Sequence, residues 1–367
     1  MKRILCLILA LALCFSLAAC GSKSEAPVVA PAEAPAEAPA EAPAEAPAEP
    51  AGDFPTAENP LVISLGHSTP EQSSGNTQAK IFKDKIEELT GGAIQVEIYP
   101  NSQLGNENTM MEGIYSGSMD AGIISGTVLT TIIPELNAWY LPFMFSSLEE
   151  YADVMFSEEF YEKTAALINE KTDMHFLGIP IVSPRGLLNS KVDVTSPADM
   201  KGLTIRCISG QIISDILTTL GASPTQLSFG EVYTGLQQGV CHGVENGLSD
   251  CIEMKFVEVA KHYTDTLQCM NGMALIVSDA LWQKLSPEQQ EMMVEAGKYA
   301  QGTVVENQSA AIEEAYVVGH EEYDVTVTRL TDEQRADFRE ACQSIYDKYQ
   351  PIIGDDYYNF VTGLAEK

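Results

Sequence analysis

Two short apolar runs, Leu61-Val-Ile-Ser-Leu65 and Ile94 to Tyr99, bracket a segment whose apolar side chains fall at Ala79, Phe82, Ile86 and Leu89. That spacing predicts a helix between two strands. Gly66-His67-Ser68-Thr69-Pro70 ends the first strand, and Gly91-Gly92 ends the helix, because a left-handed cap favours glycine. A strand, a helix and a second strand in that order argue for a parallel sheet covered by helices. The alternation continues down the chain. Asn106 to Ser116 and Leu148 to Lys171 pattern as helices, Asp120 to Ser125 and Phe176 to Val182 as strands. Gln211 to Leu220 and Gly230 to Gln238 pattern as further helices, and Leu267 to Val277 is expected to cross back to the first domain. Ser286-Pro287-Glu288 is a helix start, with a cap residue, proline at the first position and an early acid. Its helical pattern runs to around His320 despite Gly297 and Gly302, and Thr331 caps a last helix beginning near Asp332. The residues alone therefore give an α/β chain with one unusually long helix, and 367 residues suffice for two domains.

The first 20 residues stand apart from the fold. Lys2 and Arg3 precede an apolar run from Ile4 to Leu17 that ends Leu17-Ala18-Ala19-Cys20-Gly21, the pattern of a secretion signal. The cut region resembles a bacterial lipobox, which implies that Cys20 becomes the lipidated N-terminus. Residues 21–58 read as a linker. From 26 to 50 it repeats Ala-Pro-Ala-Glu, with no side chain large enough for a core and with regular proline favouring extended polyproline II. Cys207, Cys241, Cys251, Cys269 and Cys342 remain in the mature chain; an odd number in an exported protein leaves at least one thiol free or paired between molecules.

Positive charge is scarce. The formal net charge is −31, which argues against nucleic acid and against an anionic lipid surface. Between the leader and residue 328 the only arginines are Arg185 and Arg206. Each follows an apolar run, Leu177 to Val182 in one case and Gly202 to Ile205 in the other, where a buried strand delivers a side chain to a sheet edge. A guanidinium buried there needs an anionic partner. Either a nearby acid such as Asp199 or Glu231 supplies it, or a ligand carboxylate does, matched by the guanidinium fork.

The same stretch carries a resemblance to a known family. Ser196-Pro-Ala-Asp-Met-Lys-Gly-Leu-Thr-Ile-Arg206 resembles the D-x-K-G-x-K-x-R segment of the DctP-type solute-binding proteins of TRAP transporters. Gly221 to Gly239, Gly243-Val-Glu-Asn-Gly247, Tyr99-Pro-Asn-Ser-Gln-Leu-Gly105 and Leu141-Pro-Phe-Met-Phe145 resemble further blocks of that family in the same order. The likeness covers nearly all of residues 61–320. It implies a two-lobed periplasmic-binding-protein-like α/β fold with a hinge and a long helix spanning both lobes. Lobe I would comprise 59–182 plus 272–311, and lobe II 183–271 plus 312–367.

On that resemblance Arg206 pairs with a ligand carboxylate, Arg185 is the second arginine of the site, and Asn246 completes the carboxylate shell. Phe229 lies where the family places an aromatic against the ligand. His67 and Ser125, at strand ends, are further candidates for the cleft, while Glu231 and Tyr233 are expected to fix the helix and hinge. Two departures stand out: Ser183-Pro-Arg-Gly186 in place of G-x-R-Q, and His242-Gly-Val-Glu-Asn-Gly247 in place of D-G-x-E-N-P. No G-x-S-x-G, H-E-x-x-H or G-x-x-x-x-G-K-[ST] is present, and the Cys and His spacings fit no zinc pattern, so no enzyme, metal or cofactor is expected. The resemblance implies an extracytoplasmic protein, lipid-anchored at the outer face of the cytoplasmic membrane, that captures a small organic acid by hinge closure. Its partners would be TRAP-type permease subunits. The other readings are the ligand-binding subunit of a cell-surface sensor and an exported hydrolase.

Overall fold

The computed structural model describes residues 54–366; the leader, Cys20 and the linker as far as residue 53 lie outside the described residues. Among the described residues eleven strands form two sheets. The first contains β1 (Leu61–His67), β2 (Ile94–Tyr99), β3 (Ala121–Ser125), β4 (His175–Pro184) and β10 (Met270–Val277), in the order β2-β1-β3-β10-β4. The second contains β5 (Gly186–Asn189), β6 (Thr204–Cys207), β7 (Ser223–Gln226), β8 (Gly243–Asn246), β9 (His262–Asp265) and β11 (Thr326–Arg329), in the order β11-β9-β5-β8-β6-β7.

The opening strand, helix and strand form as the apolar spacing dictates. The Ser74–Leu89 helix buries Ala79, Phe82 and Ile86, Gly91 and Gly92 take positive φ beyond its end, and β1 pairs parallel with both β2 and β3. The sheet is not parallel throughout. β10 runs antiparallel to both β3 and β4, because the chain returns from the second sheet and enters between them from the opposite end.

Two expected helices divide. Leu148 to Lys171 becomes Leu148–Met155 and Glu158–Thr172, because Ser157 caps the second by accepting a hydrogen bond from the Phe160 N–H. The long helix from Pro287 becomes Pro287–Gly302 and Val304–Glu321, meeting at Thr303. Gly302 weakens that turn, and the Thr303 hydroxyl hydrogen-bonds the Ala300 carbonyl at 2.8 Å and Gln78 Oε1 at 2.9 Å. Together the two helices still serve both sheets: the first packs on β4, and the second packs on the Leu248–Glu253 helix beside β8. The helix capped by Thr331 is also not the last, since Gln343–Ile353 and Asp355–Ala365 follow it.

The sheets meet where the chain changes from one to the other. β4 ends at Pro184 and β5 begins at Gly186, so Arg185 is the single residue between them. The return passes from β9 to β10 through residues 266–269, and the two crossings are tied by the Arg185 N–H donating to the Cys269 carbonyl at 2.9 Å. All five cysteines of the described chain are buried and free.

The contact of the Pro287–Gly302 helix with β4 depends on Gly297. A Cβ there would overlap the Leu177 carbonyl oxygen, and one turn on, Gln301 Oε1 accepts from the Ile179 N–H at 2.8 Å. Gly297→Ala is therefore expected to destabilise the protein by about 1–2 kcal/mol, overpacking outweighing the gain of roughly 1 kcal/mol in helix propensity. Urea unfolding measures it; a variant as stable as the parent would mean that the helix is not held against β4 at this point.

Candidate functional site

The crossover places Arg185 in the interior with 5% of its surface exposed. Its Nε lies 3.6 Å from Oε2 of Glu245, which stands on β8 with no exposure at all. Burial pulls the Arg185 guanidinium down, but the Glu245 and Asp250 carboxylates push it up further, so it is held firmly as a cation. The same burial raises Glu245 above the usual carboxylate range, against the pull of both arginines.

Arg206 sits on β6 with 1% exposure. Neither Asp199 nor Glu231 pairs with it. Asp199 accepts from Thr195 and Ser196, and Glu231 from the Ser228 N–H and hydroxyl. Arg206 instead donates through Nε and Nη2 to the Leu227 carbonyl, at 2.9 and 2.7 Å, and its guanidinium carbon stands 6.0 Å from the centre of the Phe229 ring. Burial pushes its pKa down to about 10, which leaves it charged at neutral pH. The two arginines therefore share one arrangement. The Nε edge of each is taken, by a carboxylate or a carbonyl. Among the described residues no acceptor reaches Nη1 of Arg206 or either Nη of Arg185.

Both line a narrow cavity of about 30 Å³ between the sheets. Ile181, Ile208, Phe229 and Met273 give it an apolar wall; Asn246 and Asn271 add amides. Asn246 is 1% exposed, and its Oδ1 has no hydrogen-bond partner. A buried amide oxygen without a donor is costly.

Of the residues singled out in the sequence, Arg185, Arg206, Asn246 and Phe229 come together on this wall. His67 and Ser125 do not line it; both are fully buried one layer behind. His67 bonds Thr69 Oγ1 and Asn76 Oδ1, and burial lowers its pKa, which keeps it neutral. The Ser125 hydroxyl donates to Asn271 Oδ1 at 2.7 Å, and its N–H donates to Glu107 Oε2 at 2.8 Å. His242 lies off the wall, where its Nδ1 accepts from the Thr204 N–H. Gly247, where the family has proline, closes on the crossover: a Cβ there would come within 2.8 Å of Ser183 Oγ and 3.1 Å of the Pro184 carbonyl.

Sequence reasoning missed Glu107, Asp250 and Asn271, which share the wall. With 52 acidic residues in the chain, no local signal separates these carboxylates from surface ones.

Residues 65–351 match the DctP model, described as bacterial extracellular solute-binding protein, family 7. The chain belongs to that family. A solute-binding protein of Roseobacter denitrificans is 32% identical over 66% of this chain and 73% of its own length. Among solved structures, a TRAP periplasmic solute-binding protein of Sulfurospirillum deleyianum with bound succinate superposes with TM-score 0.74 and 26% identity, covering 83% of this chain and 98% of that one. A Sulfitobacter counterpart with bound β-D-galacturonate gives TM-score 0.77 at 24% identity, covering 83% and 100%. The match establishes the two-lobed fold, and in this member of the family the cavity lies at the junction of the two sheets.

One carboxylate beside the site titrates far from its usual range. Glu253 Oε1 accepts from the Ser74 N–H at 3.3 Å, and burial, reinforced by the Asp250 charge, raises Glu253 to about 7. Between about 4.5 and 7 the folded chain holds a proton that the unfolded chain has released. Folded-state stability therefore falls as pH rises through that window. Glu253→Gln is expected to flatten this part of the profile. Thermal unfolding at pH 5 and pH 8 tests it: the drop between them should be smaller in the variant, and equal drops would place the titration elsewhere.

Proposed function

We propose that this protein captures a small organic acid outside the cytoplasm and delivers it to a TRAP-type membrane permease, without chemical turnover. The observation that carries the reading is the pair of buried arginines on the cavity wall, with Nη1 of Arg206 and both Nη atoms of Arg185 left without an acceptor among the described residues. A guanidinium held along its Nε edge cannot swing away, so its free edge is preorganised for a carboxylate. Arg206 takes the carboxylate end-on through Nη1 and Nη2, Arg185 reinforces it, and the Asn246 side chain completes the shell. The acids bound by the solved relatives, succinate in one and galacturonate in another, support this class of ligand.

Capture proceeds by hinge closure of two lobes, 59–182 with 272–311 and 183–271 with 312–367, over the acid. Closure creates the surface that the permease subunits read. The leader is removed at Cys20, whose lipid holds the protein at the outer face of the membrane, and the Ala/Pro/Glu linker sets the folded part at a distance from it.

Arg206→Ala should abolish carboxylate binding with the fold intact, and Arg206→Lys should weaken it, because lysine lacks the planar fork. Thermal unfolding with a panel of small acids and neutral sugars reads both effects, since a ligand at ~100 times its Kd adds about 2.7 kcal/mol. Stabilisation of Arg206→Ala equal to that of the parent would refute the assignment. Separately, Cys20→Ala should move the protein from the membrane fraction to the soluble fraction; unchanged membrane association would rule out the lipid anchor.

A further inference from the structure

Charge on the cavity wall limits the kind of acid it can hold. Arg185 and Arg206 bring two positive charges to the wall, Glu107 and Asp250 bring two carboxyl groups, and Glu245 stands behind Arg185. The wall is therefore close to balance before any ligand enters. One carboxylate placed between the two arginines is well received, since each has a free Nη edge. A second carboxylate on the same molecule would meet Glu107 or Asp250 in a site shielded from water, where like charges repel most strongly.

The two wall acids are not equivalent. Both oxygens of Glu107 are engaged, Oε1 by the Ser68 hydroxyl at 2.5 Å and Oε2 by the Ser125 N–H at 2.8 Å. Asp250 accepts through Oδ2 alone, from the Ser183 hydroxyl at 2.5 Å. Among the described residues no donor reaches its Oδ1. Asp250 is also fixed in place: it lies in the first turn of the Leu248–Glu253 helix, and Ser183, on the strand that leads into the crossover, clamps it from the first sheet. It offers the wall one spare, immobile carboxyl acceptor, which suits a hydrogen-bond donor.

We infer that the cavity takes a monocarboxylic acid whose far end carries hydrogen-bond donors, hydroxyls or an ammonium, received by Asp250, and that it discriminates against dicarboxylates. The inference rests on the carboxylate-binding reading above and adds the second half of the ligand to it. Asp250 becomes the residue that sets specificity, and Arg206 the one that sets affinity for the acid group.

Isothermal titration of the purified protein tests this with D-galacturonate and D-gluconate for hydroxyl donors, 4-aminobutyrate for a terminal ammonium, succinate for a second carboxylate, and butyrate for a donor-free tail. A donor-bearing probe should bind at least about tenfold more tightly than succinate and butyrate, and which probe does so separates hydroxyl from ammonium. Asp250→Asn keeps the shape and the Ser183 contact. It should weaken the preferred probe by about ten- to a hundredfold, the usual cost of losing a buried acceptor. Succinate bound most tightly by the parent, or a preferred probe indifferent to Asp250→Asn, overturns the inference. Should the variant fail to fold, the ranking in the parent protein decides. Arg206→Ala separates the two layers. Succinate binding that Arg206→Ala abolishes leaves the carboxylate reading standing and removes only this inference, whereas binding that survives Arg206→Ala removes both.

Discussion

The structure turns on keeping two positive charges dry in a chain whose net charge is −31. Moving a guanidinium out of water costs several kcal/mol unless its donors find partners. Arg206 meets that cost with a backbone carbonyl, and Arg185 with a single carboxylate at 3.6 Å. Neither solution uses all the donors. A protein that needed these arginines only for stability would do better with apolar residues of similar size. Their retention on the cavity wall, with Nη edges open, makes sense when an anion supplies what the protein withholds. The acidic field of the whole chain sharpens the requirement, because it repels anions at long range and leaves capture to these local contacts.

Topology puts those charges at the junction of the two sheets. Arg185 occupies the only residue between β4 and β5, and its N–H is bonded to the returning strand at Cys269. The two crossings between the sheets are thereby tied together at the backbone of Arg185. The wall itself is drawn from both halves: Ile181 and Met273 come from the first sheet, Arg206 and Asn246 from the second. Ser183, on the first sheet, holds Asp250, on the helix beside β8, and the Ser74 N–H, from the helix packed on the first sheet, holds Glu253 of the same helix as Asp250. Polar contacts of this kind join the two halves beside the cavity.

Much of this was legible in the sequence where local rules and tertiary context agree. β1, the Ser74–Leu89 helix and β2 follow from period and glycine caps, and Ser286 caps its helix with Gln289 as the Ser-Pro-Glu start suggests. Strands β5, β7, β9 and β11 have only four residues each and carry no readable period, so pairing within the sheet defines them. The antiparallel entry of β10 depends on a chain reversal from a different sheet, which no local pattern encodes. The same division applies to the site. Arg185, Arg206, Asn246 and Phe229 were found because arginine is rare here and the flanking motifs are recognisable. Glu107 and Asp250 were not, because their role comes from burial and not from residue type. His67 and Ser125 were placed at the right strand ends but one layer too near the cavity, since a strand end fixes a position without fixing the direction of its side chain.

That last distinction bears on how such a scaffold changes ligand without changing fold. Residues behind the wall are committed: Ser125 spends its hydroxyl on Asn271 and its N–H on Glu107, and His67 spends both ring nitrogens on neighbours. Replacing either leaves a buried polar group unpaired, at a cost of about 1–3 kcal/mol to the folded state. The open groups on the wall carry no such obligation. The spare Oδ1 of Asp250 and the unpartnered Oδ1 of Asn246 contribute nothing to the empty protein through hydrogen bonds. Substitutions there leave intact the committed layer and the crossover that hold the arginines in place. A carboxylate receptor built this way can keep its anchor and vary its reader. The separation is visible in one short run of the chain: Glu245 braces Arg185, Asn246 faces the cavity, Gly247 makes room for Pro184, and Asp250, three residues on, holds an acceptor in reserve.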